Sequence, residues 1–212
     1  MVRLLEALAA EPAPPTTVTD PADALDRHVA DSLSGLIVPA VRAARTLGDI
    51  GAGAGFPGLP LAIALPEARV DLIEATRRKC DVIARLAAAT GSRNARPVPT
   101  RAEGWAAAEG RGSYEVVTAR AVAPLAVLVE YAAPLLAAGG SFVAWKGARE
   151  TAEEEAGAHA ASIVGLRPAE ILPVRPFEAV KARHLHVYVK DRPTPARFPR
   201  RPGIAAKRPL AG

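Results

Sequence analysis

A single cysteine, very few aromatic side chains and no unbroken apolar run of membrane length mark this 212-residue sequence. Cys80 has no partner for an internal disulfide, and no His/Cys spacing matches a zinc site, so a disulfide scaffold is excluded, no metal is expected and a cytosolic location fits. Aromatics make up 4% of the chain while half of it is hydrophobic, so the core must be built from Ala, Leu and Val, which suits helices packed closely on a sheet. The most apolar long stretch, 121–140, is broken by Pro124, Glu130, Pro134 and the Gly139-Gly140 pair and does not span a membrane. The opening MVRLLEALAA imitates a signal peptide, but Glu6 interrupts an apolar part that is already too short, which leaves an amphipathic first helix.

The length allows one full α/β domain with small additions. Three regions are expected: an N-terminal helical segment, 1–40; a central domain, 41–191; and a basic Pro/Arg-rich tail, 192–212. After the first helix, Glu11-Pro12-Ala13-Pro14-Pro15 reads as a stiff linker, and Asp20-Pro21 opens a helix running to about Leu33. Leu25, Val29, Leu33 and Leu36 fall on one side of it, and His28, Asp31 and Ser32 on an adjacent side that reads as a surface polar cluster; three residues within about one turn cannot converge as a catalytic triad. From Arg45 strands and helices alternate, the mark of a mostly parallel sheet. Strands are expected at 45–50, 69–73, 96–98, 114–118, 141–145, 171–174 and 184–190, the last two pairing antiparallel; helices are expected from Pro57, over 76–90 with a stop at Gly91, and over 124–136.

The most informative segment is GAGAGFPG, Gly51–Gly58, directly after the run ending Asp49-Ile50. Closely spaced glycines between a buried strand and a helix bring backbone N–H groups against a nucleotide-like ligand. A dinucleotide fingerprint needs glycine at its sixth position, and here that position is Phe56. The observed Gly51, Gly53 and Gly55 resemble instead the first motif of S-adenosylmethionine (SAM) methyltransferases. In a parallel sheet the ligand belongs at the carboxyl ends of the strands, which hold Asp49, Gly51, Glu74, Glu103, Arg120 and Lys146. Glu74 stands where an acid commonly accepts ribose hydroxyls, and Glu103 could hold an adenine amine.

The formal charge is +5 and the pI about 9.8. The excess is concentrated in 190–212, where Lys190, Arg192, Arg197, Arg200, Arg201, Lys207 and Arg208 face the lone acid Asp191. Five prolines there argue against a helix, and an extended basic strip holding Phe198 could follow a phosphate backbone.

Absences narrow the methyl acceptor. Cys80 reads as core, which removes the nucleophile that pyrimidine C5 chemistry needs. Thr118-Ala119-Arg120-Ala121 stands where amine methylation usually has an Asn/Asp-Pro-Pro-aromatic segment. A ribose oxygen would need a base, for which Lys146 is the one well-placed candidate, whereas a ring nitrogen such as guanine N7 needs none.

Arg27-His28-Val29-Ala30-Asp31-Ser32-Leu33, GAGAGFPGLPLAI from Gly51, Arg77-Arg78-Lys79, Arg101-Ala102-Glu103, Thr118-Ala119-Arg120-Ala121 and Ala144-Trp145-Lys146-Gly147 come in the order seen in the RsmG (GidB) family, and PRRPGIAAKRPL resembles its ending. The resemblance implies a class I SAM-dependent methyltransferase (Rossmann-like) fold: α/β, a mostly parallel seven-stranded sheet with an antiparallel last strand, and short N-terminal helices. It also implies methylation, with SAM, of N7 of a single guanine in the 530 loop of bacterial 16S rRNA (guanine 527 in the usual rRNA numbering). It implies cofactor contacts at Gly51, Phe56, Ala102, Glu103 and Arg120, beside Gly53 and Glu74 from the loop and strand reading. Arg120 and Lys146 are expected at the mouth of the site as its catalytic residues. The expected partner is 16S rRNA or the small subunit, met by a monomer. The alternatives are a small-molecule SAM methyltransferase, a non-catalytic RNA-binding assembly factor that keeps the pocket, and, furthest from the glycine spacing, a dinucleotide oxidoreductase.

Overall fold

The computed structural model describes residues 1–18 and 20–210; Thr19 in the expected N-terminal segment, and 211 and 212 in the expected tail, lie outside them. Seven strands, β1 (Thr46–Ile50), β2 (Arg69–Ile73), β3 (Ala95–Val98), β4 (Tyr114–Arg120), β5 (Leu136–Lys146), β6 (Leu166–Pro173) and β7 (His184–Lys190), form one sheet in the order β3-β2-β1-β4-β5-β7-β6. All neighbours pair in parallel from β3 to β5; β7 runs antiparallel to both β5 and β6. The mostly parallel sheet with its reversed last strand is thus as expected. The parallel strands all end on one edge, where β1 and β4 leave a crevice because their connections depart in opposite directions.

Period-two alternation along the strands divides the core. Val143 and Trp145 of β5 face one side, under α1 (Val2–Ala9), α2 (Pro21–Ala24), α3 (Asp31–Leu33), α4 (Pro39–Ala43), α5 (Gly58–Ala64) and α6 (Arg77–Thr90). Phe142 and Ala144 face the other, under α7 (Ala102–Ala106), α8 (Leu125–Ala132) and α9 (Thr151–Val164), and Phe198 joins that layer from the tail. Leu4 and Leu8 of α1 are buried, as the amphipathic first helix requires.

Four differences from the sequence reading have physical causes. The helix expected over 20–33 is α2 followed by a π-helical stretch, Leu25–Ala30, and then α3. A π turn is wider than an α turn, so the 3.6-residue phase breaks. Leu25 turns to solvent at 48% exposure, while His28, Asp31 and Ser32, expected on the surface, are buried. The helix expected to reach Leu136 ends at Ala132 because Pro134 follows, and the apolar residues beyond it begin β5. Helix α9 had no counterpart in the sequence reading, since its Ala- and Glu-rich face lacks a clear apolar stripe. The tail carries a short helix, α10 (Ile204–Lys207), that its prolines had argued against; all of them lie outside those four residues.

Candidate active site

The loop after β1 runs under backbone conformations that only glycine takes easily: φ is +64° at Gly51, +60° at Gly53 and +97° at Gly55. A Cβ on Gly51 would strike Val122 and one on Gly55 would strike Leu59, whereas at Gly53 the nearest atom would be 3.8 Å away. The open side of Gly53 is therefore free for an approaching ligand. Asp49, fully buried, anchors this crevice by accepting from Thr118 Oγ1 of β4 at 2.8 Å and from the Gly58 N–H that opens α5 at 2.9 Å. Burial pushes its carboxyl up to about 7 against the opposing pull of those two donors and of Arg120.

Beside the loop is an open cleft of about 350 Å³, bordered by Gly51, Glu74, Lys79, Ala102, Glu103 and Tyr131. Its volume suits a small ligand. Glu74 is 7% exposed and Glu103 5%. Buried carboxylates are normally paired with cations, yet neither forms an ion pair among the described residues. Among the described residues the Glu74 carboxylate accepts only the backbone N–H groups of Gly53 and Thr76, at 3.1 and 2.8 Å, and that of Glu103 only the Gly203 N–H, at 2.8 Å. Acceptor capacity is left on both, aimed at one space. Ala121, with φ +55°, carries the chain from β4 over the rim and sets Val122 against Gly51.

Arg120 lies on the other side of the glycine loop. Its guanidinium donates to Asp31 Oδ2 and to the Arg27 carbonyl, both at 2.8 Å, and stands 5.7 Å above the Phe56 ring. Phe56 stacks on His28 with ring centroids 4.4 Å apart. Burial, with the charge of Arg120, pushes the His28 imidazole down to about 4. The other Asp31 oxygen is 2.7 Å from Arg183 Nε, an ion pair by proximity whose N–H does not point at the oxygen. Two of the three residues read as a surface cluster, His28 and Asp31, are therefore a clamp on Arg120, while the Ser32 hydroxyl donates to the His28 carbonyl; the Phe56 ring is engaged in the clamp rather than bordering the cleft.

Lys146 and Arg120 do not come together. Arg120 pairs in register with Trp145, so Lys146, one residue on, points to the opposite face, where its Nζ donates to Glu153 at 2.6 Å. Nor is the tail a free strip: Phe198 is 1% exposed, and Arg200 forms a two-pronged pair with the buried Glu130 of α8. Lys190 is also withdrawn, donating to the Ala133 and Leu136 carbonyls. Arg77, Arg78, Arg101, Arg201 and Lys207 are exposed and form no ion pair among the described residues. Of these Arg101 borders the cleft, Arg77 and Arg78 open α6, and Arg201 and Lys207 lie in the tail.

Residues 13–180 match the family described as rRNA small subunit methyltransferase G, GidB. The chain belongs to that family. It is 43% identical over 197 residues to a ribosomal RNA small subunit methyltransferase G of Rubrobacter xylanophilus, covering 91% of this chain and 76% of the relative. With the protein of the same name from Deinococcus radiodurans it shares 45% over 189 residues, covering 89% and 75%. Membership makes the chain a SAM-dependent methyltransferase.

Solved structures place the fold among the class I SAM-dependent methyltransferases. A 16S rRNA (adenine(1408)-N(1))-methyltransferase from Catenulisporales acidiphilia superposes with TM-score 0.59 at 18% identity, over 74% of this chain and 90% of that one. A protein from Agrobacterium tumefaciens described as a predicted O-methyltransferase superposes with TM-score 0.58 at 22% identity, over 79% and 81%. Within this GidB-family chain, the sequence reading missed Asp31 as the holder of Arg120 and Ala206 of the tail as part of the cleft border. Asp31 and Ser32 between the apolar Val29 and Leu33 were the available signal for the first. For the second there was none.

Proposed function

We propose that the protein transfers the methyl group of SAM to N7 of a single guanine, in the 530 loop of bacterial 16S rRNA. The observation that carries the cofactor half of this reading is the pair of buried, cation-free carboxylates, Glu74 and Glu103, with spare acceptor capacity on one cleft beside an open glycine turn. SAM has the matching donors, ribose hydroxyls and an adenine amine, and Gly51, Gly53, Glu74, Ala102 and Glu103 are the residues that would hold it. When bound, it supplies an already activated methyl group. The chain's own part is to orient the acceptor and keep water out.

The acceptor half rests on there being, among the described residues of the cleft, no side chain left to take a proton once Glu74 and Glu103 hold the cofactor. Around the cleft, Lys79 and Arg101 are cations, and burial raises the Tyr131 phenol. Lys146 is spent on Glu153 on the far face, which removes the candidate base for a ribose oxygen. Guanine N7 presents a lone pair without a proton and fits such a site. The names of the relatives point to small-subunit rRNA, and the unpaired cations at the starts of α6 and α7 supply the charge that binds a phosphate backbone. Arg120, fixed by Asp31, is the catalytic-site residue of this reading that stays beside the glycine loop. Among the described residues no helix is long and apolar enough to cross a membrane and no cluster could hold a metal ion, and we place the enzyme in the cytoplasm as a monomer. Its parts are the segment 1–40, the methyltransferase domain 41–191 and the tail 192–212, the tail docked on the domain.

Incubation with labelled SAM and undermethylated small subunits tests the whole. Label should be recovered as 7-methylguanine from one position of the 16S rRNA; its appearance in a pyrimidine, an amine or no RNA at all overturns the assignment. Gly53→Val tests the cofactor half: a β-branched side chain at φ +60° costs about 1–2 kcal/mol of stability and places its bulk on the open side, so calorimetric SAM binding should disappear while the chain still unfolds cooperatively. Unchanged affinity would remove the loop from the site.

A further inference from the structure

We infer that the tail is a positioning element of the cofactor cleft, acting through Glu103. The inference rests on the cofactor reading above and concerns a segment that reading did not need. Two anchors hold it. Arg200 spans both oxygens of Glu130, which is 2% exposed on α8, and also donates to the Arg208 carbonyl at 2.9 Å. Phe198 is sunk into the α8 layer, with its carbonyl accepting from Arg111 at 2.9 Å.

Between and beyond these anchors the backbone turns at Gly203, φ +81°, which is the cap residue of α10. That turn aims the Gly203 N–H at Glu103 Oε1, 2.8 Å away and 100 residues distant in sequence. Glu103 Oε2 receives no donor from the described residues, and the carboxylate borders the cleft. Ala206, one turn into α10, borders the same cleft, and so does Tyr131, the neighbour of the Glu130 that grips Arg200. The tail thus fixes one oxygen of the carboxylate and leaves the other to the ligand. Cofactor affinity then depends on Arg200, which borders no part of the cleft.

The test uses the full-length chain with Arg200→Ala combined with Glu130→Met, which removes the anchor without stranding a buried charge, and with Arg200→Lys as the conservative variant. SAM affinity by calorimetry should weaken about tenfold in the double variant, that is by about 1.4 kcal/mol, and by less in Arg200→Lys. KM for SAM should rise in the same order with kcat unchanged, and the unfolding midpoint without SAM should stay near that of the parent. In the parent, linkage requires SAM to slow hydrogen exchange at the Gly203 amide. Parent-like SAM affinity in both variants, or exchange at Gly203 indifferent to SAM, overturns the positioning role while the cofactor site stands. Absence of SAM binding in the parent overturns the site itself, and the tail's role with it.

Discussion

Asp31 Oδ2 and the Arg120 guanidinium meet at 2.8 Å, with no solvent on the carboxylate and 11% exposure of the arginine side chain. One buried acid on a helix thereby fixes the only arginine at the end of β4, and a second arginine, Arg183 of the segment before β7, stands on its other oxygen. Removing the acid leaves two cations facing each other without a counter-charge. Asp31→Ala should therefore cost about 3–5 kcal/mol in urea unfolding, with a larger fractional loss of methyl transfer than of SAM affinity. A loss under about 1 kcal/mol, the ordinary range of surface pairs, would show that the clamp is not formed.

Asp49 gives a pH signature. Its carboxyl is raised from 3.8 to about 7 in the fold, so the native state holds its proton more tightly than the unfolded chain does. The resulting stabilisation is complete below pH 4 and is lost as pH rises through 7. In Asp49→Asn the side-chain oxygen can still accept from Gly58, and its amide can donate to a rotated Thr118 hydroxyl, so the fold should persist. The stability difference, parent minus variant, should fall between pH 4 and 7 and level off above. His28 works in the opposite sense: lowered to about 4, its contribution is full above pH 6.5 and declines below. Titrating the difference rather than the parent alone isolates Asp49. A flat difference would mean that Asp49 ionises freely in the native state.

Arg77, Arg78 and Lys79 fill the first turn of α6 with positive charge and no acid, against the preference of a helix dipole. A local arrangement that disfavours its own helix points to an external anion. In Arg77→Ala with Arg78→Ala, affinity for undermethylated small-subunit RNA should fall and the slope of log affinity against log salt should lessen by about two, one per phosphate contact. SAM affinity should not change, and α6 should be no less stable. An unchanged salt slope would move the RNA elsewhere on the surface.

The strand ends were legible because a buried parallel strand, its glycine turn and its terminal acid are local in sequence. β2 and β7 fall on the residues expected for them, and Gly51, Glu74 and Glu103 meet at one cleft as the order of strand ends implies. What failed was non-local or depended on phase. No spacing rule foretells a π turn at Leu25–Ala30, and that one turn carried His28 and Asp31 from solvent to core. Lys146 was placed with Arg120 by strand order alone, which ignores that neighbouring residues of a strand face opposite ways. In the tail, composition stated that charge was present but not that Glu130, 70 residues upstream, would neutralise Arg200.

The docking of Gly203 on Glu103 also makes the cleft wall separable from the sheet. Every strand precedes residue 191, so a cut after that residue would leave all seven strands and the glycine turn in the chain while taking away the Gly203 donor and Ala206. The sheet and the wall that closes on Glu103 thus belong to different stretches of the chain, and one can be altered without rewriting the other.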